Sequence, residues 1–295
     1  MPQYTSIFRK AIYKALHFVI STKKSGKCKK KWILGDEVKN RKQLNYVNQD
    51  MAPLKEIGRC PLCYSTSYQT MQYYDIRALM KEWIILLRIN PISKTYQSAV
   101  LEKRKCTHCE GIFFNYRLDD TERMYEELAK MAGYYPRERW DFDAAIELIH
   151  QFKPNEILEV GCGNGYFLDK IINLSSIILG TELNSQARSV CISKGLNVIS
   201  ERLDKIKVKF DMICSFQVLE HLEKPTEFIG QCLNLLNKHG KLIFSTPNPE
   251  GVLKVIGGIL EIPPHHQFDF SYKAYEYIAK NFNFVGFNFF KRPGD

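Results

Sequence analysis

The stretch "ILEVGCGNGYFLDKII", Ile157–Ile172, runs from apolar residues through Glu159 into three glycines at alternate positions, 161, 163 and 165, and then into a helix-like pattern. A short apolar run that stops at glycines reads as a buried strand. The glycines let the backbone turn tightly and come close to a ligand. A strand, a glycine turn and a helix in that order open a layered α/β sheet, whose ligands sit beyond the carboxyl ends of the strands.

The surrounding chain agrees. "RWDFDAAIELIHQF" reads as a leading helix, and "EILEVG", "SIILGTEL", "LNVIS", "FDMICSFQ" and "KLIFSTP" read as five strands. Helices "GYFLDKII", "SQARSVCISKG" and "PTEFIGQCLNLLNKHG" lie among them, the last read as ending at its glycine. "YKAYEYIAKNF" and "NFVGFNFFK" add a final helix and strand. Alternating strands and helices predict a doubly wound, mostly parallel sheet.

Glu159 puts a carboxylate where the pyrophosphate of a dinucleotide would sit, and the spacing is G-x-G-x-G rather than G-x-G-x-x-G. That disfavours an anion and suits a ligand with a cationic end and no phosphate, such as S-adenosylmethionine. Glu182 in "GTELN" falls 21 residues after Gly161, at a strand's carboxyl end, where an acidic side chain can accept ribose hydroxyls. Either acid alone would pass for an ordinary loop glutamate. Their joint placement is harder to explain that way.

Charge and cysteines divide the rest of the chain. The 295 residues carry a net charge of +10, but residues 1–50 hold twelve Lys/Arg against three Asp/Glu, which leaves the remainder nearly neutral. A basic tail is a poor footprint for a main domain that tracks nucleic acid. Cys60 and Cys63 in "RCPLC" and Cys106 and Cys109 in "KCTHCEG" form two C-x2-C knuckles, the spacing of a structural zinc site, with redox dithiols or chance pairs as alternatives. The 42 residues between the knuckles predict an insertion, assigned to the helix-like "DIRALMKEWIILLRI". Cys28, Cys162, Cys191, Cys214 and Cys232 read as core or loop thiols, and the cysteine usage suits a reducing, cytoplasmic compartment.

"YTSIFRKAIYKALHFVIS", residues 4–21, places apolar residues on one helical stripe, and "KKSGKCKKK" follows it. Two readings stand side by side: residues 1–31 lie on an anionic membrane surface, or the helix docks on its own protein beside a solvated loop. A mitochondrial presequence is a third, more distant reading, since the first acidic residue is Asp36.

Residues from about 139 to 290 resemble the class I S-adenosylmethionine-dependent methyltransferases, through "EVGCGNG", "TELN", "FDMICSFQVLEHLEKP" and "GKLIFSTPNP" in order. The subgroup is similar to ubiquinone-biosynthesis O-methyltransferases and to enzymes of polysaccharide or deoxysugar pathways, some with an N-terminal cysteine-rich zinc module. The resemblance implies a Rossmann-like sheet of six parallel strands and one antiparallel strand. It also implies cofactor contacts at Glu159, Gly161, Gly163, Gly165, Glu182, Phe216 and Gln217. After "NFVGFNFFKRPGD" nothing remains to supply the antiparallel strand. The expectations are a sheet one strand short, an edge covered by the ribbon or another chain, or a chain that stops short.

The chain thus divides into a basic amphipathic segment (1–50), a zinc-ribbon-like module with an insertion (51–120) and the methyltransferase domain (121–295). The expected reaction moves a methyl group to a hydroxyl, less readily a carbon, of a sugar, sugar nucleotide or lipid-linked small acceptor. A nucleic-acid-associated or noncatalytic protein is the alternative reading. Such a transfer depends mostly on in-line positioning, but a hydroxyl must still lose its proton. "EIPPHHQFDFS" presents His265 and His266 beside each other as candidate bases, with hydrogen bonding to backbone and solvent as the other reading. His221 in "VLEHL" is a third candidate, for which structural support is the first reading. In "GYYPRERW", Tyr134, Tyr135 and Arg137 are read as cofactor or acceptor contacts, or as an ordinary domain junction. Oligomeric state leaves no mark in the sequence.

Overall fold

The computed structural model describes residues 15–19, 51–52, 56–91, 95–96, 100–118, 122–251 and 258–291. Cys28 and the lysine cluster of residues 23–31 lie outside them. In chain order the strands are β1 (Ala15–Val19), β2 (Met51–Ala52), β3 (Tyr68–Asp75), β4 (Thr95–Tyr96), β5 (Val100–Cys106), β6 (Ile112–Phe114), β7 (Glu156–Val160), β8 (Ile177–Thr181), β9 (Val198–Ile199), β10 (Phe210–Phe216), β11 (Leu236–Pro247), β12 (Phe268–Asp269) and β13 (Asn288–Phe290). The helices are α1 (Ile76–Leu87), α2 (Glu122–Ala129), α3 (Trp140–Phe152), α4 (Tyr166–Ile171), α5 (Ser185–Ser193), α6 (Pro225–Leu235) and α7 (Tyr272–Asn281).

The main sheet has the order β13-β1-β11-β10-β7-β8-β9. The pairs of β7 with β8 and β10, of β8 with β9, and of β10 with β11 are parallel. A parallel sheet is covered on both faces, and β7 shows this residue by residue. Leu158 and Val160 join the cluster of Phe244, Ile229 and Tyr275, while Ile157 joins that of Phe142, Phe167 and Met212 on the other face. Full burial of each such side chain contributes about 1.5–3 kcal/mol, so the central strands anchor the loops at their carboxyl ends.

Two expectations are corrected here. The antiparallel strand is not missing: β1 runs antiparallel between β11 and β13, with Ala15 opposite Pro247, Val19 opposite Ile243 and His17 opposite Phe290. The gap is filled from the other end of the chain, so the sheet is neither one strand short nor covered there by the ribbon. Ala15–Val19 is therefore strand, not part of the amphipathic helix expected over 4–21; the rest of that segment lies outside the described residues. Five residues fit either period, and pairing with two strands settles the competition in favour of the extended form. The second correction concerns α6, which stops at Leu235 rather than at Gly240, because Leu236–Gly240 is already extended in β11 beside β10.

The cysteine knuckles close at one end of a second sheet, ordered β12-β6-β5-β3. Its outer element is the expected insertion helix α1, whose N-cap Asp75 accepts the Arg77 and Ala78 amides at 2.8 and 3.0 Å. The sulfurs of Cys60, Cys63, Cys106 and Cys109 lie within 4.8 Å of one another. Strand β12 belongs to the larger domain yet pairs with β6 of the ribbon, Phe268 opposite Phe113. Gly111 makes that approach feasible, since a Cβ there would meet the Phe268 ring at 2.2 Å. Cys60, Cys106 and Cys109 share one apolar cluster with Phe268, Phe270 and Tyr275, so the two parts are joined through a common core. Cys162, Cys191, Cys214 and Cys232 are buried thiols.

Candidate active site

A cavity of about 1160 Å³ opens at the carboxyl ends of the parallel strands. Its floor is the glycine turn. Gly161, Gly163 and Gly165 all have positive φ, at 74°, 53° and 73°, a region where L side chains are strained. Space is short as well: a Cβ at Gly161 would meet Val218 at 2.6 Å, and one at Gly163 would meet the Tyr135 ring at 2.7 Å. Tyr135 therefore lies against the turn. Gly165 is placed differently from its neighbours. It does not line the cavity but faces Leu196 and Cys191, which makes it a helix-packing glycine.

Glu159 is the last residue but one of strand β7, beneath this turn, and is 2% exposed. Its Oε2 has no hydrogen-bond partner. Burial pushes its pKa well above the ordinary carboxylate value; Cys191 and Glu182 push the same way, and Arg139 opposes them. Arg139 is largely committed elsewhere. It forms a two-pronged pair with Asp141, whose Oδ2 also accepts from Ser245 Oγ at 2.6 Å. The sequence reading missed this pair, whose only local signal is the "RWD" spacing at the start of α3.

Glu182 follows β8 and accepts the Gly163 amide on Oε2 and the Asn184 amide on Oε1, both at 2.8 Å. It locks the two loops together while it lines the cavity, and each oxygen keeps a further lone pair for a hydroxyl. Phe216 and Gln217 also line it. Phe216 packs on Phe142 and Phe167 at ring distances of 5.0 and 4.7 Å. Gln217 has φ 56° and is held there by its amide, which donates to the Ser245 carbonyl at 2.9 Å. A side chain in that sparsely populated region beside a cavity is a common mark of a functional loop.

The opposite wall is the histidine cluster. His221, His265 and His266 offer nitrogens within 4.8 Å of one another. His265 Nδ1 donates to the Leu260 carbonyl at 2.8 Å, so in the neutral ring Nε2 accepts from Tyr134 Oη at 3.0 Å. Burial, reinforced by His221 and His266, holds its pKa well below the usual histidine value. His221 Nδ1 donates to the His265 carbonyl at 2.7 Å, which turns Nε2 toward Glu220 Oε1 at 4.0 Å. His266 sits between two carboxylates, with Nε2 4.0 Å from Glu220 and Nδ1 3.6 Å from Glu261. Glu220 itself is 1% exposed. Of the residues read from "GYYPRERW", Tyr134 and Tyr135 reach the cavity, whereas Arg137 stacks on the Tyr166 ring at 5.3 Å and does not line it.

A raised carboxyl pKa has a definite sign in stability. Above the ordinary carboxylate value the unfolded chain has lost the Glu159 proton while the folded chain keeps it, so folding takes up a proton and stability falls as pH rises toward the raised value. Glu159→Gln removes that slope. Thermal melts of ligand-free protein against pH are expected to show the variant gaining on the wild type as pH rises from the ordinary carboxylate range; parallel curves would contradict the buried-acid assignment.

Comparison with known proteins agrees with this geometry. The family described as "Methyltransferase domain" matches residues 128–286, more than half of the chain. The ubiquinone biosynthesis O-methyltransferase of Nitrosococcus oceani is 31% identical over 133 residues, 37% of this chain and 56% of that protein. Its counterpart in Erwinia tasmaniensis is 23% identical over 173 residues, 48% of this chain and 71% of that protein. The chain thus spans little more than half the length of the first of these relatives. Among solved structures, the magnesium protoporphyrin IX methyltransferase of Synechocystis PCC 6803 with bound SAH is 17% identical, covers 48% of this chain and 70% of its own, and has a TM-score of 0.40. With its parallel sheet, its glycine turn and the match across residues 128–286, this chain belongs to the methyltransferase-domain family.

Proposed function

We propose that the chain transfers a methyl group from S-adenosylmethionine to a hydroxyl of a small acceptor, a sugar, a sugar nucleotide or a lipid-linked molecule. The observation that carries this reading is the buried Glu159 oxygen without a partner, set under a glycine turn at the floor of the cavity. A carboxylate so placed suits a cationic ligand and disfavours a phosphate. S-adenosylmethionine supplies, when bound, an electrophilic methyl on a sulfonium. Glu159 would meet its cationic end, and Glu182 its ribose hydroxyls. Tyr135 against Gly163 would exclude water from the same end of the cavity.

The proton at the acceptor hydroxyl needs a place to go. In the neutral ring both nitrogens of His265 are in hydrogen bonds, one to a backbone carbonyl and one from a phenol, which makes it a positioning residue. We assign the base to His221 instead, in place of the supporting role first read for it. Its Nδ1 is anchored on the His265 carbonyl, its Nε2 lies beside Glu220, and that carboxylate stabilises the imidazolium formed when the ring takes a proton. The proton then rests on Nε2 as the imidazolium paired with Glu220, and exchanges with solvent once product leaves the cavity that His221 lines. Transfer of labelled methyl from S-adenosylmethionine into a fractionated cell extract tests both parts. His221→Ala is expected to lower turnover by roughly 10²–10⁴-fold with cofactor affinity retained; unchanged turnover would remove His221, and label only in nucleic acid would remove the small acceptor.

The four cysteines fit a structural zinc ion. A tetrahedral Zn–S bond of about 2.3 Å places sulfurs about 3.8 Å apart, and contacts of 3.5 Å for Cys60 with Cys109 and 3.4 Å for Cys63 with Cys106 lie near that value. All four ligands would be thiolates, which leaves no open position for substrate and limits the ion to folding support. Purified protein is expected to carry one zinc per chain by elemental analysis. Stripping it, or Cys60→Ser with Cys109→Ser, is expected to lower the melting temperature of the whole chain in one transition, because β12 ties the ribbon to the larger domain. Metal-free protein with an unchanged melt would contradict the assignment.

A further inference from the structure

Helix α1 has two faces with different work. Its inner face, through Trp83 and Leu87, shares a cluster with Ile259, Leu260 and Ile262, the segment that leads into the histidines. Trp83 lies 6.4 Å from the His265 ring, centroid to centroid. The last turn of α1 leaves three consecutive aliphatic side chains in solvent: Ile84, Ile85 and Leu86 are 47%, 55% and 50% exposed, Ile84 and Ile85 toward the outer side and Leu86 on the opposite flank. Leu86 also lines the cavity, so this end of the helix borders the site.

The charges on the same face favour one kind of partner. Arg77 and Lys81 lie on the turns that lead to Ile84 and Ile85, and Arg88 caps the helix; all three are exposed, with Glu82 as the acid among them. Exposed aliphatic residues at one end of a helix, ringed by long cationic side chains, match an anionic lipid surface: the aliphatic groups enter the headgroup region and the cations remain at its level. A water-soluble acceptor would require no apolar surface at the entrance. A lipid-linked one would.

We propose that the Ile84–Leu86 end of α1 docks on an anionic bilayer, so that the cavity opens toward the membrane and takes a lipid-linked acceptor from its surface. This rests on the reading of the cavity as the acceptor site and narrows its substrate class. The helix is far too short to span a bilayer, and among the described residues no helix is long and apolar enough to do so. The contact is peripheral. The lysines of residues 23–31 are a separate basic segment of the sequence.

The test is cosedimentation of the full chain with vesicles of phosphatidylcholine alone and of phosphatidylcholine with phosphatidylglycerol. Wild type is expected to bind the anionic vesicles, and Ile84→Glu with Ile85→Glu to weaken that binding about tenfold with an unchanged melting temperature. A second pair of proteins, with the lysines of residues 23–31 replaced by Gln, keeps the face and the tail apart; the difference made by the two glutamates is expected to persist. Equal binding with and without the glutamates, or binding to neither vesicle, overturns the proposal. So does a concentration-dependent dimer that the glutamates break, since a second copy would then cover the face. None of these readings needs a methyl donor, so failure here is distinguishable from failure of the methyl-transfer reading.

Discussion

Burying a carboxyl group without a partner is expensive, and the site is organised around one such group. Glu159 stands near the carboxyl end of the central strand, where both faces of the sheet are packed, and is 2% exposed at the floor of the cavity. The nearby cation, Arg139, is paired with Asp141, which Ser245 holds in turn, so it moderates the field at Glu159 without quenching it. The protein keeps this group in an unfavourable state when empty. On the proposed reading a cationic ligand at the glycine turn would relieve it, and stored destabilisation would become selectivity for one charge type.

The second constraint reaches the site from the ribbon. The knuckles fix β5 and β6, β6 pairs with β12, and β12 follows His265 and His266 within two residues. From the other side, α1 packs on the turn before those histidines. The histidine wall is thus clamped between two elements of the ribbon, although its residues belong to the methyltransferase half. His221, the proposed proton acceptor, takes its position from this wall, because its Nδ1 donates to the His265 carbonyl.

Much of this was legible in the sequence because it depends on local signals. The strand before Gly161, the turn itself and the insertion helix that opens at Asp75 are short-range patterns, and the structure places each within a residue or two. The C-x2-C pairs announced their own convergence. Long-range pairing was not legible. Ala15–Val19 reads equally well at helical or strand period, and only its partners more than two hundred residues away make it a strand. The hydrogen bonding of His265 was hidden for the same reason: its Nε2 is occupied by Tyr134, 131 residues upstream, and no spacing rule joins the two. The stop of α6 at Leu235 likewise reflects the pull of β10 on Leu236, which outweighs the glycine signal at 240.

The central claim is that Glu159 holds a proton in the empty site and releases it to solvent when a cationic ligand binds. Titration calorimetry of S-adenosylmethionine binding, repeated in buffers of different ionisation enthalpy, counts the protons exchanged. The account predicts that wild type releases more protons than Glu159→Gln, by an amount that shrinks as pH rises through the raised carboxyl pKa. Equal proton exchange in the two proteins, or equal affinity, would contradict it.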